Sequence, residues 1–147
     1  MDSIVEVGVL RGRSAFALLS GCSGPVFCID PFADPGDHAY RAVMETCGHF
    51  ENLRLIRGLS PAAASEVPGQ VSMTWLDGDH SYESVRADID AWLPKTTKLI
   101  CGHDWADPAD FTDNSGGYRG VWDAVRETFP DERIENPEGT SIWAVWL

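Results

Sequence analysis

Short apolar, often β-branched runs alternate along the chain with segments whose apolar positions recur every three or four residues, and Gly, Pro and Asp punctuate the junctions. Ile4-Val5-Glu6-Val7 reads as a first strand ending at Gly8, and residues 14–19 as a helix closed by Gly21 and the Gly24-Pro25 turn. Residues 26–29 form a second strand stopped by Asp30-Pro31. His38–Cys47 then places Tyr40, Val43, Met44 and Cys47 on one helical face. Residues 52–57 give a third strand, and Ser60 before Pro61 has the form of an N-cap with proline at the first helical position. Val71–Leu76 is a fourth strand, followed by a helix marked by Val85, Ile89, Trp92 and Leu93 and ended by Pro94. Residues 98–101 give a fifth strand and 121–129 a last helix stopped by Pro130. Residues 132–134 and 141–147 are the last two strands. A short Asn136-Pro137-Glu138-Gly139 connection predicts that they pair as an antiparallel hairpin at the sheet edge.

Repeated strand–helix units predict a single α/β domain over residues 1–147, with a mostly parallel sheet, right-handed crossovers and helices on both faces. A length of 147 residues and a hydrophobic fraction of 44% suit one core. Acidic residues outnumber basic ones 23 to 11, for a formal net charge of −12. That balance argues against a nucleic-acid partner and against an anionic membrane surface, both of which call for Lys and Arg. No apolar run approaches a membrane span, and the N-terminus shows no basic region followed by an apolar stretch, so a cytoplasmic protein is expected. Cys22, Cys28, Cys47 and Cys101 form no CxxC pair and read as buried thiols of a reducing compartment.

The unusual residues gather at strand ends, where open α/β sheets bind ligands. After the first strand, Gly8 and Gly12 permit a tight turn and close approach of a ligand to backbone, and the next helix offers free N–H groups. The loop lacks the middle glycine of a dinucleotide fingerprint. Asp30 ends the second strand about twenty residues after the first glycine, where a carboxylate can accept bonds from both hydroxyls of a ribose. Asp77, Asp79 and His80 end the fourth strand, and His103-Asp104 the fifth. Neighbouring strands lie about 5 Å apart, so these side chains can converge on a divalent cation. A chain reading as a metal-dependent hydrolase would use that cluster but leave Glu6 and Asp30 without a role.

The assembled motifs resemble class I S-adenosylmethionine-dependent methyltransferases, in particular methyltransferase family 24 of small-molecule O-methyltransferases. The resemblance runs through Glu6-Val7-Gly8, Gly12-Arg13-Ser14, Asp30-Pro31-Phe32, Gly58-Leu59-Ser60, Asp77-Gly78-Asp79-His80-Ser81-Tyr82-Glu83 and Gly102-His103-Asp104. It implies a Rossmann-like sheet of seven strands with the last antiparallel, and a chain without the N-terminal helices that usually cover the site. It places Glu6, Gly8 and Ser14 by the methionine part of the cofactor, Gly12 among the cofactor-binding residues, Asp30 by the ribose and Ser60 in the neighbourhood of the adenine. Asp77 serves both cofactor and metal, and Asp77, His103 and Asp104 stand where metal-dependent relatives bind Mg²⁺. A histidine there favours Mn²⁺ or Zn²⁺. His80, with Asp79 beside it, is the catalytic candidate: an imidazole is a fair base for a hydroxyl proton near neutral pH. The partner implied is a small hydroxylated acceptor, such as a sugar. Residues 105–119, with Trp105, Phe111 and Tyr118, suit a substrate lid. A second subunit is the other source of a cover, and the open site and six Trp favour a homodimer. A module that binds the cofactor without transferring methyl groups is the remaining alternative.

Overall fold

The structure, a computed structural model, describes residues 2–106 and 116–147. Along them run β1 (Ile4–Val7), α1 (Arg13–Gly21), β2 (Val26–Asp30), α2 (His38–Cys47), β3 (Leu53–Arg57), α3 (Ser60–Ala63), β4 (Val71–Leu76), α4 (Tyr82–Trp92), β5 (Thr96–Gly102), α5 (Gly116–Thr128) and β6 (Trp143–Trp146). The strands form one sheet in the order β3-β2-β1-β4-β5-β6. All pairings are parallel except that of β5 with β6.

Alternation along the strands divides the core in two, because successive side chains point to opposite faces. On one face Val5, Val7, Ile29, Leu76 and Ile100 pack with Ala63 of α3, Val85, Ile89 and Trp92 of α4, and Val121 and Val125 of α5. On the other, Val26 and Cys28 pack with Ala15 and Leu19 of α1 and Val43 and Cys47 of α2. Ile89 and Trp92 have no exposed surface, and burying side chains of this size stabilises the fold by about 1.5–3 kcal/mol each. The cysteines are free thiols, three of them buried. No described helix is long and apolar enough to cross a membrane.

The sheet has six strands where seven were expected. Residues 131–133 wind into a 3₁₀ turn directly after Pro130, and Pro137, which has no N–H to give, closes the segment. Only Glu135 remains extended enough to pair, in a single antiparallel bridge with Ala144. The expected hairpin is thus one residue wide, and β6 completes the sheet by pairing with β5. Ser60 also differs from expectation. Leu59 takes the extended N-cap conformation and Ser60 is the first helical residue, so its hydroxyl is free for other partners. Pro94 lies inside a 3₁₀ turn (Leu93–Lys95) that extends α4, and α5 begins at Gly116, earlier than expected.

The direction of strand addition reverses between β1 and β4. The C-terminal ends of β1, β2, β4 and β5 therefore open on one edge, on either side of a crevice.

Candidate active site

At that edge lies a cleft of about 1260 Å³ whose walls include Gly8, Leu10, Ser14, Asp30, Leu59, Ser60, Asp77, His80, Asp88 and His103. Its floor begins with the turn after β1. Gly8 has φ +84°, and a Cβ there would stand 2.0 Å from the Asp77 carbonyl oxygen, so the β1 and β4 ends meet backbone to backbone. Gly12, φ +82°, opens α1 and faces Cys47 and Val43 of α2 rather than the cleft. No side chain caps α1 among the described residues, and Arg13 and Ser14 of its first turn line the cleft.

Glu6 sits below this loop, wholly buried, and does not line the cleft. The Cys28 thiol donates to its Oε2 at 3.3 Å, while Oε1 has no hydrogen-bond partner among the described residues. Burial raises its pKa from 4.5 to about 7, against the opposing pull of Ser14 and Cys28.

Asp30 is the staple of the loops around it. Its Oδ2 accepts from the N–H groups of Val9 and Leu10, both at 2.9 Å, and its Oδ1 from Phe32 N–H at 2.7 Å. Leu10 and Phe32 both have positive φ, a strained conformation for such residues that these bonds hold in place. A carboxylate has roughly four lone-pair positions, and three are taken.

The polar cluster is built by the ends of β4 and β5. β5 stays flat against β4 as far as Gly102, where a Cβ would meet the Leu76 carbonyl oxygen at 2.4 Å and Trp143 Nε1 at 2.7 Å. The strand then breaks, and Asp104 turns back with φ +58°. This brings Asp104 Oδ2 within 2.8 Å of His80 Nε2, and Asp77 Oδ1 lies 3.7 Å from the same nitrogen. His103 Nδ1 is 3.1 Å from Asp104 Oδ1 and 3.9 Å from Asp77 Oδ1, while its Nε2 is 3.0 Å from Ser141 Oγ. Asp104 is thus flanked by two imidazoles. Asp77 contributes most to raising the His80 pKa above 6.5, partial burial opposes, and the charge of Asp104, the closer carboxylate, adds to the rise.

Among the described residues, the metal-ligand atoms within 4.8 Å of one another come from Asp77, His80 and Asp104. The expected set was Asp77, His103 and Asp104; His103 turns its Nδ1 toward both carboxylates, 3.9 and 3.1 Å away, but does not fall within this group. Asp79 does not join either. It is exposed, and its Oδ1 accepts from Ser81 N–H at 2.8 Å, which lowers its pKa and fixes the turn into α4. From below, α5 presses on this turn: a Cβ on Gly120 would lie 2.3 Å from the His80 carbonyl oxygen.

Ser60 lines the cleft, and its Oγ accepts from Trp92 Nε1 at 2.8 Å. Beside it is Asp88, a buried carboxylate with a pKa raised by burial from 3.8 to about 6. Its signal in the sequence is an acid within the Val85-Ile89-Trp92 stripe, where an apolar residue belongs. Of the expected lid, Trp105 stacks on Trp122 with centroids 4.2 Å apart and packs on the core, and Tyr118 is exposed. Phe111 and most of 105–119 lie outside the described residues.

This sheet order, with its cleft at the β1/β4 reversal, is the fold of S-adenosylmethionine-dependent methyltransferases. A methyltransferase-domain family model, that of methyltransferase family 24, matches residues 5–105, and the chain belongs to that family. No curated protein matches it. Among solved structures, it is similar to a caffeoyl-CoA O-methyltransferase-like protein of Staphylococcus aureus, with a TM-score of 0.73, 15% identity, and coverage of 99% of this chain and 75% of the other. The Podospora anserina methyltransferase PaMTH1, bound to S-adenosylhomocysteine, gives a TM-score of 0.70 at 16% identity, covering 99% and 72%. A methyltransferase-like protein of Streptococcus mutans, also bound to S-adenosylhomocysteine, gives 0.69 at 11% identity, covering 99% and 88%.

Proposed function

We propose that the chain is an S-adenosylmethionine-dependent O-methyltransferase acting on a hydroxyl of a small metabolite. The observation that carries this reading is the convergence of His80, Asp77 and Asp104 at the mouth of the cleft, at the ends of β4 and β5. The cofactor fits the chain's own chemistry. The uncapped first turn of α1 suits a carboxylate, Asp30 has one acceptor position left for a ribose hydroxyl, and Ser60 with Asp88 forms a polar floor between apolar walls. Bound there, S-adenosylmethionine supplies an electrophilic sulfonium methyl group.

Asp104 fixes the His80 ring with Nε2 toward the carboxylates. As general base, His80 takes the proton of the acceptor hydroxyl, and its raised pKa makes it a stronger base than a free imidazole. Trp75 and Ile142 give the cleft apolar wall near His103, against which a small acceptor can lie.

The same three side chains suit a divalent cation: two carboxylates and one imidazole favour Mn²⁺ or Zn²⁺ over Mg²⁺. A cation held by Asp77, His80 and Asp104 would occupy the His80 lone pair, and would itself polarise the acceptor hydroxyl and ease loss of its proton in place of the general-base role.

The deciding experiment is calorimetric titration of S-adenosylmethionine into chelator-treated protein, repeated with Mn²⁺ and Mg²⁺, followed by mass spectrometry of a panel of hydroxylated acceptors. Micromolar binding and an acceptor gaining one methyl group are expected. Absence of binding under all conditions overturns the reading, and acceptor turnover without S-adenosylmethionine replaces it with hydrolysis.

A further inference from the structure

Arg11 and Arg13 stand where the chain passes from β1 into α1, and both line the cleft. Elsewhere cations are matched: Arg57 with Asp37, Arg86 with Asp90, Lys98 with Asp2 and Arg126 with Asp131. Arg11 and Arg13 have no ion-pair or hydrogen-bond partner among the described residues, although Asp77, Asp79 and Glu83 line the same cleft. The placement of Arg13 also runs against its helix. A helix start carries roughly half a positive charge and disfavours a cation, and the first turn of α1 holds no acidic residue to offset it. The turn is fixed from below, because Asp30 binds the N–H groups of Val9 and Leu10, and Gly12 N–H donates to the Val9 carbonyl oxygen at 2.8 Å. Two guanidinium groups are therefore presented to the cleft with no countercharge. S-Adenosylmethionine does not supply one: its carboxylate is offset by its own ammonium group, and the sulfonium adds a further positive charge. The missing charge must arrive with the acceptor. A carboxylate brings a single negative charge, whereas a phosphate monoester brings about −1.5 to −2 and three acceptor oxygens, enough for two guanidinium forks.

We propose that Arg11 and Arg13 bind a phosphate group carried by the acceptor, so that the metabolite methylated is a phosphomonoester with a free hydroxyl. This rests on the S-adenosylmethionine reading above. The phosphate anchors the acceptor at the glycine loop and leaves its hydroxyl for His80, which lines the same cleft. In a chain with a formal net charge of −12, the pair supplies the local attraction that an anionic acceptor needs.

The test is calorimetric titration of inorganic phosphate into the whole chain saturated with S-adenosylhomocysteine, in the wild type, in Arg11→Gln, in Arg13→Gln and in the double variant. Both side chains are exposed, so the variants should melt with the wild type. The wild type should bind phosphate with a dissociation constant of about 1 mM or below. Each single variant should bind it about three- to tenfold more weakly and the double variant about 10- to 100-fold, as charge-assisted bonds are lost. S-Adenosylhomocysteine affinity should stay within about threefold throughout. Absence of phosphate binding to the wild type, or equal binding to the double variant, overturns the assignment of the arginines alone. A fall in S-adenosylhomocysteine affinity with phosphate binding unchanged gives the pair to the cofactor carboxylate and overturns it too. Failure of S-adenosylhomocysteine to bind the wild type overturns the cofactor reading and, with it, the assignment of the phosphate to a methyl acceptor.

Discussion

His80 Nε2 lies 2.8 Å from Asp104 Oδ2, so the loop that follows β4 is tied to the loop that follows β5 through one imidazole–carboxylate contact. The two residues are far apart in sequence, and the contact forms only because β4 and β5 pair in parallel and Asp104 turns back with positive φ. Replacing His80 by Ala removes the proposed base without touching the glycine loop. Methyl transfer should fall by about 10²- to 10⁴-fold while S-adenosylhomocysteine affinity changes by less than about threefold. Rates and calorimetry on the same preparation check this, and unimpaired turnover would remove His80 from the mechanism.

Glu6 makes stability depend on pH. Its folded pKa of about 7 exceeds the ordinary 4.5, so between these values the folded state holds a proton that the unfolded state has released. The contribution of this group is fully present below pH 4.5 and is lost as pH rises through about 7. The shift corresponds to on the order of 3 kcal/mol. Glu6→Gln should therefore melt higher than wild type at pH 8 and show a flatter pH profile, read by thermal denaturation between pH 5 and 8 without ligand. A profile as steep as that of wild type would show that Glu6 is charged in the folded protein.

Gly8→Ala should be among the most damaging single changes. The added Cβ would have to clear the Asp77 carbonyl oxygen, which stands 2.0 Å from its position, at a residue held at φ +84°. A loss of roughly 3 kcal/mol or more is expected from strain and backbone displacement. Because the same shift moves Asp77, cofactor affinity should fall in step. Denaturant midpoints and calorimetry measure the two effects; a stable variant with normal affinity would contradict the close approach of β1 and β4.

Asp77 and Asp104 set the expected response to metal. If Asp77, His80 and Asp104 hold a cation, Mn²⁺ should bind the chelated protein and Asp77→Asn should weaken that binding by about 10- to 100-fold. The same loss in His103→Ala, with His80→Ala unaffected, would restore the donor set expected from the sequence.

Much of this site was legible because strand ends carry their own punctuation. Gly8, Asp30-Pro31, Asp77-Gly78 and Gly102-His103 each stop a hydrophobic run, and a doubly wound sheet must bring such ends to one edge. Partner choice was not legible. How closely His80 and His103 each approach Asp77 and Asp104 depends on a backbone reversal at Asp104 that residue type leaves open. Three of the acceptor positions of Asp30 go to nearby backbone N–H groups, a local competition that residue type does not reveal. The lost seventh strand has the same origin: residues 132–134 alternate well enough for a strand, but Pro130 sets the chain into a 3₁₀ turn before pairing can begin. Asp88 shows the reverse case, a break in an apolar stripe that was visible without the structure but whose meaning needed the cleft.

The turn that carries His80 is held from both sides. Gly78 backs onto Val7 of β1, where a Cβ would lie 3.2 Å from Val7 Cγ1, and the His80 carbonyl rests on α5 at Gly120. The backbone at position 80 is therefore a fixed post set by neighbouring elements, not by the side chain it displays. Any residue placed there would be presented to the same point in the cleft. The scaffold can exchange an imidazole for an amine or a carboxylate through one codon, and so change its acceptor chemistry without refolding the loop.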